Sequence, residues 1–165
     1  MRRESRARMA LSLVMEPGDP RLAGALAAAG GAEALIDRLR ADEAVGDHPL
    51  PEAWRHGARR LDRRFERANA RAEEAGLRWI APGDHAWPEQ LDDLDHVEPV
   101  QGPTGAPLGL WVRGTAPLGL LRQRALAVVG ARSATAYGSS QASDHAADLG
   151  DAGFTVVSGA AFGID

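Results

Sequence analysis

Apolar positions in the first forty residues recur at helical spacing in short bursts. Leu11, Val14 and Met15 form one stripe, Leu22, Leu26 and Ala29 a second, and Ala34, Leu35 and Leu39 a third. Between the first two lies Glu16-Pro17-Gly18-Asp19-Pro20. Asp19 is placed there to cap a helix, and Pro20 to occupy its first position, where a missing N–H costs nothing. Gly30-Gly31 is a C-terminal stop. Residues 42–53 are polar and contain proline, the composition of a loop.

The pattern over Trp54–Gly76 predicts the longest helix. Ala58, Leu61, Phe65, Ala68, Ala72 and Ala75 alternate three- and four-residue steps and share one face. Arg59, Arg60, Arg63, Arg64, Arg67 and Arg71 surround that stripe, interleaved with Asp62, Glu66, Glu73 and Glu74. Two readings are open: a basic helix for nucleic acid, or a solvated face laced with ion pairs. The near balance of acids against arginines favours the second.

After Gly76 the period changes. Leu77–Ile80 reads as a short strand ended by Pro82-Gly83, and Leu108–Gly114 as another, with loop between them over 84–107. From Ala125 the order is strand (Ala125–Val129), glycine turn, helix (about 136–152), strand (Phe154–Val157), glycine turn. Apolar runs without alternation on either side of one helix predict parallel strands buried on both faces, joined as a right-handed βαβ unit.

Charge matters once it is divided. Every one of the 19 basic residues is Arg. Through residue 80 there are 15 Arg against 13 acids, a net of +2; from 81 onward there are 4 against 10, a net of −6. A broad basic face for nucleic acid does not look like this, so any polyanion site must be local, built from backbone N–H groups and one or two placed arginines. Hydrophobic residues make up 44 %, enough for a core. Cysteine is absent, which removes thiolate metal sites and a cysteine nucleophile. The five His are scattered without ligand spacing, and Ser158 has no nearby general base in the sequence. No metal, no cofactor and no catalytic set are expected. Nothing resembles a membrane span or a secretory signal, and a cytoplasmic protein is expected.

The chemistry concentrates in two glycine turns at the carboxyl ends of the parallel strands, where open α/β sheets bind ligands. The first, Val129-Gly130-Ala131-Arg132-Ser133-Ala134-Thr135, lacks the second glycine of a dinucleotide fingerprint and has Arg132 in its place. Arg132 supplies a planar cationic fork beside the hydroxyls of Ser133 and Thr135 and the positive end of the next helix, which suits a single phosphate. The alternative is that Ser133 or Thr135 caps the helix and Arg132 is solvated. The second turn, Ser158-Gly159-Ala160-Ala161-Phe162-Gly163-Ile164-Asp165, is small enough to wrap tightly and point N–H donors at an anion. Asp165 reads equally as a first-turn acid that favours a helix dipole.

These residues resemble the DprA/Smf family of DNA-processing proteins. The resemblance rests on Val129-Gly130-x-Arg132 with Tyr137-Gly138, and more specifically on Val157-Ser158-Gly159-x-Ala161-x-Gly163-Ile164-Asp165. Gly83-Asp84-x-x-Trp87-Pro88-x-x-Leu91 and Leu110-Trp111-Val112-Arg113-Gly114 are similar to two further family motifs, and the helical start is most like actinobacterial members. Many members have Gly-Ser-Arg where this chain has Gly130-Ala131-Arg132. The resemblance implies an α/β fold: a small helical domain over 1–76, of SAM or helix-hairpin-helix type, then the first part of an extended Rossmann-like parallel sheet over 77–165. Members continue past the position of Asp165, so a chain clipped within the Rossmann-like domain is implied. It also implies a non-enzymatic role in natural transformation: binding single-stranded DNA, assisting RecA recombinase loading, and acting as a possible homodimer. The phosphate-binding residues implied are Gly130, Arg132, Ser133, Ser158, Gly159, Ala161, Gly163 and Asp165.

Two rivals stand beside it. Lysine-decarboxylase-like phosphoribohydrolases also hold a nucleotide phosphate in a glycine loop, but theirs reads P-G-G-x-G-T-x-x-E, which Ser158–Asp165 does not match. A protein-interaction module over residues 1–76 is the other.

Overall fold

A computed structural model describes residues 1–46, 49–98, 105–115, 117–119 and 124–165. They divide into two packing units, Met1–Ala116 and Pro117–Asp165.

In the first unit, helix α1 (Arg3–Leu11) buries Ser5, Ala7, Met9, Ala10 and Leu11. It begins well before the stripe that marked it in the sequence. The chain leaves helical geometry after Leu11, so Val14 packs at the core's edge and Met15 fills the core from a turn. Helix α2 (Pro20–Ala29) follows the local rules: the Asp19 carboxylate accepts from the Arg21 N–H, Pro20 is the first residue, and Gly30 closes the helix at φ 87°.

Helix α3 (Ala32–Ala41) has no cap from its own flanks. Glu4 of α1 provides it instead, accepting from the Ala32 N–H at 3.0 Å and the Glu33 N–H at 3.4 Å. Arg8 holds Glu4 in place at 3.0 Å. Leu35 and Leu39 then enter the same core as Leu11 and Leu22.

The long helix expected over 54–76 is two. Helix α4 (Glu52–Ala58) takes in residues expected to be loop, and α5 (Leu61–Glu74) starts after a break in which Arg60 leaves helical geometry at φ −116°, ψ 14°. At Gly57 the α4 backbone lies so close to Val14 that an added Cβ would stand 2.8 Å from the Val14 Cβ. The turn lets Trp54 and Ala58 reach the core from one direction and Leu61, Phe65 and Ala72 from another. A periodic pattern alone does not reveal that change of axis.

Strands β1 (Leu77–Ile80) and β2 (Leu110–Arg113) pair antiparallel, with Trp79 opposite Trp111. Their rings meet edge to face at 5.1 Å, and the Trp79 indole N–H donates to the Ser5 carbonyl at 3.0 Å. Between the strands lies a 3-10 helix (Glu89–His96) in a region expected to be loop. Asp84, in the turn after β1, accepts from Arg2 (3.0 Å), Ser5 Oγ (3.0 Å) and the Ala81 N–H (2.9 Å). Burial alone would raise its pKa. The hydrogen bonds from Ala81, Arg2 and Ser5 and the Arg2 charge outweigh that and hold it below the usual carboxylate range. Trp87 is buried and its N–H donates to Asp92 at 3.0 Å.

In the second unit, β3 (Ala125–Ala127) and β4 (Thr155–Val157) pair in parallel through helix α6 (Ala136–Asp151), the βαβ order read from the sequence. The burial expected of such strands is absent: β3 is exposed along its length, and no described residue of this unit is buried. Among the described residues one helix accompanies the pair and no third strand joins it, too little to enclose a strand on two faces.

Candidate anion-binding site

The two turns at the carboxyl ends of β3 and β4 lie side by side and interlock. The Val128 N–H donates to the Val157 carbonyl at 2.9 Å, extending the pairing to the point where the turns begin. Beyond it the Ile164 N–H donates to the Ala131 carbonyl at 3.2 Å. Gly163, at φ 106°, allows this approach, because a Cβ there would run into the Ala131 and Arg132 carbonyl oxygens. Gly130 meets the opposing turn as tightly: a Cβ would stand 2.6 Å from the Ile164 Cβ.

Asp165 latches the pair. Its side chain accepts from the Gly130 N–H at 2.9 Å, and its main-chain oxygen accepts from Ser158 Oγ at 3.2 Å. The carboxylate therefore occupies one of the donors that a phosphate could have used. Asp165 acts on the turns' shape.

At the start of α6 the capping alternative is realised by Thr135, whose hydroxyl accepts from the Gly138 N–H at 3.0 Å. Arg132 and Ser133 are left exposed, with no side-chain partner among the described residues. The N–H groups of Arg132 and Ser133, and of Gly159 to Gly163, likewise have no acceptor among the described residues. Of the residues singled out in the sequence, Gly130, Ser158 and Asp165 are joined by hydrogen bonds through Asp165. Gly163 packs against the Ala131 and Arg132 carbonyls, Gly159 lies against the Asp165 carboxylate, and Ser133 and Ala161 are exposed in the two turns.

Two aromatic residues named within the motifs were given no role in the sequence reading. Phe162 is 92 % exposed within the second turn, and Tyr137, in the first turn of α6, is 75 % exposed. The one available signal was Phe162's place between small residues in a turn too tight to fold a large side chain inward. A hollow of about 940 Å³ lies in the first unit. Its wall carries Glu4, Asp19, Asp92, Asp95 and Glu98 against Arg8, the wrong sign for a polyanion. No group of His, Asp and Glu among the described residues could hold a metal ion, and no helix is long and apolar enough to cross a membrane.

Residues 78–165 match the sequence profile of the DNA recombination-mediator protein A family. The chain belongs to that family. The matched segment covers the two glycine turns, most of the β1–β2 pair and Asp84 with Trp87-Pro88. It agrees with the DprA/Smf resemblance read from the motifs. Two Mycobacterium tuberculosis proteins, from strains CDC 1551 / Oshkosh and ATCC 25618 / H37Rv, carry the name DNA processing protein DprA. Each is 40 % identical over 159 residues, covering 94 % of this chain. The chain spans 39 % of the length of these curated relatives. Within the family's shared segment, Asp84 and Trp87 have structural work in this chain: Asp84 ties the turn after β1 to α1, and Trp87 is core.

Proposed function

We propose that the chain binds single-stranded DNA through one backbone phosphate held at the two interlocked turns. What supports this reading is that two turns rich in unbonded N–H groups lie side by side, next to an arginine with no side-chain partner among the described residues. One turn would offer Arg132 and the N–H groups of Arg132 and Ser133, and the other those of Gly159, Ala161 and Gly163. Ser158 and Asp165 fix the loop that presents them. A phosphate contact of this kind positions a strand without reading its bases. Exposed Phe162 and Tyr137 add π-faces on which bases stack irrespective of sequence, the usual complement of a phosphate grip on single strands. In this reading the protein acts without catalysis or cofactor, in the cytoplasm, delivering the strand to RecA recombinase during transformation. A homodimer would place two grips on one strand. Residues 77–165 would carry the DNA contact, with 1–76 as the accessory helical domain.

Fluorescence anisotropy with labelled oligonucleotides of differing sequence tests the reading. Arg132→Ala is expected to weaken binding about 10- to 100-fold, the range of a lost charge-assisted contact, and equally for every sequence. Unchanged affinity at several salt concentrations removes Arg132 from the site. Release of a free base from a nucleotide would transfer the turns to the phosphoribohydrolase reading.

A further inference from the structure

We propose that the outer face of α5 docks on the phosphodiester backbone of double-stranded DNA, through Arg60, Arg63, Arg64, Arg67 and Arg71. The proposal does not rest on the anion-binding turns. In the sequence, arginines and acids alternate here and suggest mutual neutralisation. The fold separates them. Asp62 is drawn to Arg40 of α3 at 2.7 Å, and Glu66 to Arg6 of α1 at 3.3 Å. Glu73 accepts from Asn69 at 2.7 Å. Asp62, Glu66 and Glu73 thus line one edge of α5, and the first two are paired with cations of other helices.

What remains on the outer face is a row of exposed arginines. From Arg60 to Arg64, Arg67 and Arg71 the steps are four, three and four residues, with Arg63 alongside. None of the five has a side-chain hydrogen bond or ion pair among the described residues. Glu74 stands at the far end of this face. Arg63–Arg67 and Arg67–Arg71 are like-charge pairs at four-residue spacing within the helix, each of which costs helix stability.

The row runs about 16 Å at the rise of an α-helix, a length along which a duplex presents roughly nine backbone charges. It lies on a convex helix, and among the described residues of α5 there is no exposed aromatic on which an unpaired base could stack. Both features suit a duplex backbone over a single strand, which is usually held in a groove with stacking side chains. Because the whole chain is net −4, the attraction is confined to this face.

The test uses the full chain with a blunt duplex and a single strand of equal length. The triple variant R64A/R67A/R71A, whose alanines favour the helix, is compared with R3A/R38A/R113A, which removes equal charge elsewhere. Circular dichroism confirms that both fold. The α5 triple is expected to lose at least tenfold in duplex affinity at low salt, and the log–log salt slope to fall by about 2–3. Single-strand affinity should change less than threefold. Equal losses for the two triples would show general charge and overturn the proposal, as would equal losses on single strands. An α5 triple that keeps duplex binding but loses an acidic polyglutamate peptide would move this face to a protein partner.

Discussion

Replacing Asp84 with alanine probes how the opening of the family's shared segment is tied to the helical core. The carboxylate satisfies two donors from which water is excluded, since Ser5 is 1 % exposed and Ala81 0 %. A buried donor left without an acceptor costs about 1–3 kcal/mol. The third partner, Arg2, keeps half its side-chain surface in solvent at 50 % exposure, so that pair contributes only about 0–1 kcal/mol. The Ser5 hydroxyl can rotate toward another acceptor and recover part of its loss; the Ala81 N–H cannot. The expected cost is about 3 kcal/mol, a large fraction of the 5–15 kcal/mol that holds an ordinary domain. Asp84→Asn keeps one good acceptor oxygen and should lose about half as much. Urea unfolding followed by far-UV circular dichroism reads the first unit, where most of the helix lies. The carboxyl also predicts a pH signature. Its folded pKa lies below the unfolded one, so its stabilisation is complete above the unfolded value and is lost as pH falls through the folded value. Glu4 and Asp19 are lowered in the same direction. The wild-type chain should weaken below about pH 4, and the alanine variant less steeply. A midpoint change worth under about 1 kcal/mol for Asp84→Ala, with an unaltered acid limb, would refute the argument.

Gly163→Ala should abolish the interlock of the two turns, because the added methyl meets the Ala131 carbonyl and φ 106° is hostile to any side chain. Single-strand binding is expected to fall at least as far as for Arg132→Ala while the circular dichroism of the helical unit is unchanged; preserved binding would mean that the interlock is incidental. Hydrogen exchange should find α1, α3 and α5 protected, and Leu126–Val157 exchanging fast, since no described residue of the second unit is buried. Strong protection at Val156–Ser158 would show that the βαβ unit is self-sufficient.

Much of this was legible because its causes are local. Asp19-Pro20 and Gly30 start and stop α2 by their own chemistry, Leu77–Ile80 is bounded by glycine and proline, and the βαβ order follows from two apolar runs with a helix between. What escaped depends on residues far apart in sequence. The break at Arg60 answers to Val14 behind Gly57, and α3 is capped from α1. Among the described residues the arginines of α5 have no ion pair, while Arg6 and Arg40 engage Glu66 and Asp62. At the site, the glycines placed the turns correctly, but the role of Asp165 required knowing which N–H its carboxylate would meet.

The loan of Glu4 to α3 makes the first turn of that helix conditional on a distant part of the chain. Ala32 is wholly buried in the fold, and the Glu4 carboxylate is the acceptor its N–H meets there. Clipping the leading residues, or fusing a tag that pulls α1 away, would thus be felt first some thirty residues downstream, as fraying at Ala32–Glu33. Glu4, far from α3 in sequence, is here a component of an internal joint.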